Sequence, residues 1–228
     1  MILCLPTGGI SKIAYELDSR FPGNDNNMNI FEQGLLQFLK PEQLAAIQSK
    51  KVGIGGAGGL GSNCAMILVR SGFKNLEIID HDTIDASNLN RQQYYTAEIG
   101  RPKVDVLKKR LLDINPDADI ITHQTRWHEG NAEFFFKGSD FIVEAFDAAE
   151  VKYRFVEYYA PRFALIISGV GMAGLNKKQP MTVKKMGNVY ICGDHTTDSA
   201  QGHPPMAPRV TQCAGMMAEI ILDLTLKI

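Results

Sequence analysis

The chain has no Cys-x-x-Cys pair; its four cysteines, Cys4, Cys64, Cys192 and Cys213, are scattered along 228 residues. A disulfide framework would be denser, and a structural zinc site shows close pairs, so neither is expected. Reduced thiols in a cytoplasmic protein are the economical reading. No apolar run reaches the length of a transmembrane helix. The opening residues 1–6 are too short for a secretory signal and lack its positive flank. Neither sign of charge dominates: 24 basic against 25 acidic residues leave a formal net charge of -1, without the basic excess expected of a nucleic-acid binder or an acidic tail. Internal repeats and low-complexity tracts are missing too. What is present is the 45% hydrophobic composition of a globular domain. A chain of this length buries roughly three quarters of its unfolded surface and needs no staples.

Residues 1–27 read as an appended extension. They close on Pro22-Gly23-Asn24-Asp25-Asn26-Asn27, a loop-forming cluster, and Met28 could be a second start. The domain proper is then 28–228. Its pattern predicts a helix over 41–48 behind Pro41, a strand over 51–55 and a helix over 61–71 that carries Cys64, Ala65, Ile67 and Leu68 on one face. A strand follows over 76–80, then a helix over 104–112 and a short strand at 120–121. A strand over 141–145, a helix over 149–160 and a strand over 164–168 complete the alternation. Strands alternating with helices are the signature of βαβ units and a mostly parallel, doubly wound, Rossmann-like α/β sheet. Short strands over 181–185 and 188–192, a Gly- and Pro-containing crossover loop over 193–208 and a final helix over 210–226 extend it. Cys64 and Cys213 fall in apolar helical patterns and read as small core residues.

Between the first strand and its helix stands Gly56-Ala57-Gly58-Gly59-Leu60-Gly61, a G-x-G-x-x-G loop. Gly56, Gly58, Gly59 and Gly61 let backbone approach phosphate, and the helix N-terminus offers free N–H groups. Asp80, at the end of the next strand, is placed to accept hydrogen bonds from ribose hydroxyls. A tight turn without a ligand is the other reading; it does not easily explain six glycines between Gly53 and Gly61. The loop alone does not choose between NAD and ATP.

Further motifs follow in order: Asp80-His81-Asp82, Ser87-Asn88-Leu89-Asn90-Arg91-Gln92, Gly100-Arg101-Pro102-Lys103, Ile114-Asn115-Pro116 and Glu144-Ala145-Phe146-Asp147. The series resembles the adenylation domain of the ubiquitin-activating superfamily, which includes ThiF and MoeB, over roughly 31–226. The tail, with Gly193-Asp194 and Ala207-Pro208-Arg209-Val210, is most similar to the short ThiF type linked to thiamine biosynthesis. The resemblance implies an ATP-dependent adenylyltransferase that activates the C-terminal glycine carboxylate of a ThiS-like sulfur-carrier protein and releases pyrophosphate. It assigns Arg91, Lys103 and Asp147 to catalysis, with Asp147 holding Mg²⁺. It assigns Asp82, Asn88 and Gln92, beside the glycines and Asp80, to ATP.

The chemistry agrees with these residue types. A carboxylate attacking the α-phosphate of ATP brings two anions together, so the site needs fixed cations more than an acid or a base. Arg91 can grip phosphate oxygens with paired donors, and Lys103 opens a helix after Pro102. Asp147 follows a buried strand at its C-terminal end, where ligands of α/β sheets gather, and a carboxylate there can carry Mg²⁺. Asn88 and Gln92 either bind phosphate or order the loop, Asp82 either touches ribose or caps a turn, and Asp147 has the alternative role of helix cap.

The chain also departs from its relatives. Many bacterial members hold zinc with two C-x-x-C pairs, which are missing here. The segment 31–36 lacks the arginine that many relatives reach into a partner's site, so a homodimer stays open. Cys192 is the cysteine nearest the crossover loop, and an unreactive strand-end residue is the favoured reading of it. Rival readings are a tRNA threonylcarbamoyladenosine dehydratase, an activator of the molybdopterin-synthase carrier, an NAD-dependent dehydrogenase and a catalytically silent partner subunit.

Overall fold

The structure, a computed structural model, describes residues 28–163, 165–170, 180–196 and 203–227. The extension over 1–27, Cys4 and part of the loop over 193–208 therefore lie outside the described residues.

Five strands form the parallel body of the sheet: β1 (Lys51–Gly55), β2 (Asn75–Ile79), β3 (Asp119–His123), β4 (Phe141–Glu144) and β5 (Leu165–Val170). β1, β2, β4 and β5 are short and mostly apolar, as strands covered on both faces must be, whereas β3 is an edge strand with Ile121 exposed. A hairpin, β6 (Thr182–Met186) and β7 (Val189–Gly193), extends the sheet. The order is β3-β2-β1-β4-β5-β7-β6, with every pair parallel except β6–β7. The chain moves from β1 to β2 on one side and later returns to place β4 on the other. The C-terminal ends of β1 and β4 thus flank the switch point where doubly wound sheets bind ligands. β6 is the exposed outer edge.

Helices α2 (Pro41–Gln48), α3 (Gly59–Arg70), α4 (Lys103–Ile114) and α6 (Ala207–Leu226) contribute to one apolar cluster, which includes Cys64, Cys192 and Cys213. Helix α5 (Ala149–Tyr159) shares a second, aromatic cluster with Trp127, Phe135 and Phe136. The expected elements are all there, with shifted ends. Helix α3 starts at Gly59 rather than 61, and α6 starts at Ala207 rather than 210, because Pro208 fits a first turn that needs no N–H from it. A helix that the apolar pattern did not announce, α1 (Ile30–Leu35), is capped by the Asn29 side chain, which accepts from Glu32 N at 2.9 Å.

Two of the six glycines turn out to serve the aromatic core. A Cβ at Gly53 would stand 2.5 Å from the Phe136 ring, and one at Gly55 would stand 2.7 and 2.8 Å from the Phe146 and Phe155 rings. The glycine count over-weighted the phosphate loop, since β1 needs small residues to admit these rings.

Candidate active site

A cleft of about 380 Å³ opens at the C-terminal ends of β1, β2, β4 and β5. Gly56 turns the chain at φ +99°, and a side chain there would strike the Ala145 carbonyl at 2.8 Å. Gly58 and Gly59 line the cleft. Gly58 is the N-cap of α3 and supplies no capping side chain, so the helix presents its first N–H groups toward the opening. Gly61, expected among the nucleotide contacts, has a different task. A Cβ there would lie 1.8 Å from the Gly56 carbonyl oxygen, so it is the close-packing glycine between strand and helix.

Asp80 is 8% exposed, and both carboxylate oxygens already accept backbone N–H groups: Ala57 N at 2.6 Å and Asp82 N at 2.7 Å. It braces the glycine loop, leaving only second lone pairs for a ribose. Tyr94 braces the next peptide of the loop, donating its hydroxyl to the Ala57 carbonyl at 2.7 Å. Burial pushes the Tyr94 hydroxyl well above its ordinary pKa, which keeps the donor proton in place.

Lys103 opens α4 and is only 5% exposed. Its Nζ donates to Asp82 Oδ2 at 2.7 Å, and its backbone N donates to the Asp82 carbonyl at 3.0 Å. Burial raises the Asp82 carboxyl, but the hydrogen bond and charge of Lys103, with His81 and Arg126, outweigh it and hold the group below the usual carboxylate range. Lys103 is thus a buried wall residue of the cleft.

Arg91 lines the cleft with its stem laid over Gly59; one guanidinium nitrogen donates to the Ser87 carbonyl at 3.0 Å and to Asn90 Oδ1 at 2.8 Å. Gln92 also lines it, 9% exposed, with its Oε1 buried and unpartnered among the described residues. Asn88 does not line it; its Oδ1 accepts from Asp85 N at 3.1 Å, so this side chain orders the loop. Across the gap stands Asp147, exposed and without a hydrogen bond or ion pair among the described residues. It does not cap α5, whose N-cap is Ala148. A free carboxylate oxygen in a cleft fits Mg²⁺, which keeps most of its shell for water and phosphate. Among the described residues, the group of three that could grip a metal unaided is Asp80–His81–Asp82, but Asp80 and Asp82 are already engaged.

Sequence reasoning missed Lys152, whose Nζ donates to both oxygens of the fully buried Glu144, at 3.1 and 2.9 Å, and to the Gly169 carbonyl at 2.9 Å. Ser168 Oγ adds a 2.6 Å bond to Glu144, and Phe146 N a 2.8 Å bond. This knot fixes the turn from β4 into Asp147. The available signal was a lysine one turn into a helix that follows an acid-ended strand. Cys192 is fully buried, and burial pushes its thiol up to about 12, so it does not present a thiolate to the cleft.

The ThiF family model matches residues 32–228. The chain belongs to the ThiF family. It is 35% identical over 141 residues to the tRNA threonylcarbamoyladenosine dehydratase of Bacillus subtilis, covering 61% of this chain and 55% of that protein. It is 26% identical over 207 residues to the adenylyltransferase and sulfurtransferase UBA4 of Scheffersomyces stipitis, covering 87% and 45%. The chain therefore spans about half the length of these curated relatives. Among solved structures, the AMP complex of the Escherichia coli dehydratase TcdA matches with a TM-score of 0.75 at 20% identity, over 86% of this chain and 93% of that one. Escherichia coli MccB with ATP matches at 0.67 and 20% identity, over 90% and 66%. These likenesses carry the ThiF fold. No described helix is long and apolar enough to cross a membrane.

Proposed function

We propose that this ThiF-family chain is an ATP-dependent adenylyltransferase acting on the C-terminal glycine carboxylate of a ThiS-like carrier protein. The observation that carries the reading is the convergence of the α3 N-terminus, Arg91, Lys103, Gln92 and Asp147 on one cleft. A carrier carboxylate oxygen forms a bond to the α-phosphorus; the bond from that phosphorus to the α–β bridging oxygen breaks, and pyrophosphate leaves with the electron pair. Arg91 and Lys103 offset phosphate charge from fixed positions, so no reorganisation is needed as charge moves onto the leaving group. Gln92 offers its unpartnered Oε1 to a donor on the nucleotide. Asp147 would hold Mg²⁺, which neutralises phosphate charge when bound.

A second reading has one observation behind it, the 35% identity to a tRNA-modifying dehydratase. The balanced charge of the chain gives no support to RNA binding. The deciding assay supplies ATP, labelled pyrophosphate and either a carrier ending in Gly-Gly or threonylcarbamoyl-modified tRNA. Carrier-dependent exchange supports the first reading. Turnover with the tRNA alone replaces it by the second, and stabilisation by NAD without ATP removes both.

A further inference from the structure

Asn63, early in α3, is 2% exposed. Its amide makes the full set of four hydrogen bonds open to it. Nδ2 donates to the Gly59 carbonyl at 2.6 Å and to the Arg91 carbonyl at 2.8 Å. Oδ1 accepts from Gln93 Nε2 at 2.8 Å and from Thr211 Oγ1 at 3.4 Å. The orientation is dictated by the Gly59 and Arg91 carbonyls, which can only accept; they hold Nδ2 and leave Oδ1 to the Gln93 amide and the Thr211 hydroxyl. Ser62 Oγ adds a bond from Gln93 N at 3.2 Å. A buried amide is costly unless every bond is made, and an aliphatic side chain would fill the space without that demand. What the polarity specifies is a junction. The main chain that carries Arg91 is bonded to the first turn of the helix whose N-terminus faces the cleft, and the Arg91 stem is laid over Gly59, with Cγ and Cδ 3.5 and 3.6 Å from where a Cβ would stand.

We propose that Asn63 is a positioning residue that, with Gln93 completing the bonds of its amide, registers Arg91 against the glycine loop so that the guanidinium meets nucleotide phosphate. The proposal rests on the nucleotide reading above. It requires Asn63 to act through Arg91, and a residue that merely stabilised the fold would not.

The experiment is calorimetric binding of Mg-ATP and of adenosine to the whole chain, to Asn63→Ser, Arg91→Ala and the double variant. Asn63→Ser should weaken ATP by roughly tenfold, the scale on which outer hydrogen-bond partners act on the groups they orient. Adenosine, which has no phosphate, should bind as to the parent. On the Arg91→Ala background the Asn63 change should add nothing to the loss. If Asn63→Ser folds poorly, Gln93→Leu frees the same amide from the edge of the junction and should give a smaller loss of the same pattern. Equal weakening of ATP and adenosine, or losses that add in the double variant, overturns the positioning role while leaving nucleotide binding intact. A parent that binds no ATP overturns the nucleotide reading itself, and the proposal with it.

Discussion

On the glycine-loop wall of the cleft most polar side chains are already engaged within the protein, whereas Asp147 on the opposite wall is exposed and meets no partner among the described residues. Asp80 and Tyr94 hold the N–H and the carbonyl of Ala57, Asn63 bonds two carbonyls, and Asp82 and Lys103 hold each other. The Asp147 wall is anchored one layer back, through Glu144, Lys152 and Ser168, and leaves its own carboxylate free. The difference separates two tasks. On the proposed function, groups that would meet phosphate directly are preorganised, which lowers the cost of binding and of charge movement. A group that would meet phosphate through a metal is left open, because metal and nucleotide would complete its shell together.

The largest expected break comes from the most crowded point of the first wall. Gly61→Ala puts a Cβ on the Gly56 carbonyl oxygen and should destabilise by at least the upper end of the roughly 1–3 kcal/mol typical of overpacking. Gly58→Ala, whose Cβ would meet only Gln92 Nε2 at 3.8 Å, should keep its melting temperature and lose ATP binding. Thermal denaturation with and without ATP separates the two, and equal melting temperatures would show that the strand–helix contact is not tight.

Next comes Lys103. Because it is buried against Asp82, Lys103→Met should lower both stability and ATP affinity, whereas Arg91→Ala should lower affinity alone. The Asp82 carboxyl is held below its ordinary value in the fold, so the stabilisation is present above the unfolded pKa, near ~4. It is lost as pH falls through the lower folded value. The melting deficit of Lys103→Met should therefore hold at neutral pH and close in acid; a deficit that widens in acid would contradict the pairing.

A smaller effect belongs to Tyr94→Phe, which removes one buried hydrogen bond to the glycine loop, about 1 kcal/mol net. Calorimetry should find ATP binding weakened severalfold with the fold retained, and unchanged binding would show that Asp80 holds the loop alone. Least of all should come from Cys192→Ala: carrier-adenylate should form at the parental rate, and its loss in a folded variant would reveal a thiol step.

Much of this was legible in the sequence. The parallel strands announce themselves as short apolar runs between glycine stops, and Arg91, Gln92, Lys103 and Asp147 were drawn from motifs that the fold does bring to one cleft. What was not legible is long-range. Asn63 finds Arg91 across 28 positions and Tyr94 finds Ala57 across 37, and neither pairing leaves a spacing to recognise. Glycines carry the same ambiguity: Gly53, Gly55 and Gly61 are needed for rings and a carbonyl, and in sequence they look like the cleft-lining Gly58 and Gly59. Asn88 sits inside the motif yet turns its side chain onto the loop.

The central claim is that fixed cations on one wall and a metal-ready carboxylate on the other act on the same triphosphate. It is tested most directly by ATP–pyrophosphate exchange with a Gly-Gly carrier, titrated with Mg²⁺, in Arg91→Ala and Asp147→Asn. Removing one such fixed group costs about 10²–10³ in rate, and both variants should lose exchange on that scale. Arg91→Ala should keep the parental Mg²⁺ dependence, and Asp147→Asn should lose it. Exchange at the parental rate in both variants, with the parental Mg²⁺ dependence, would contradict the account.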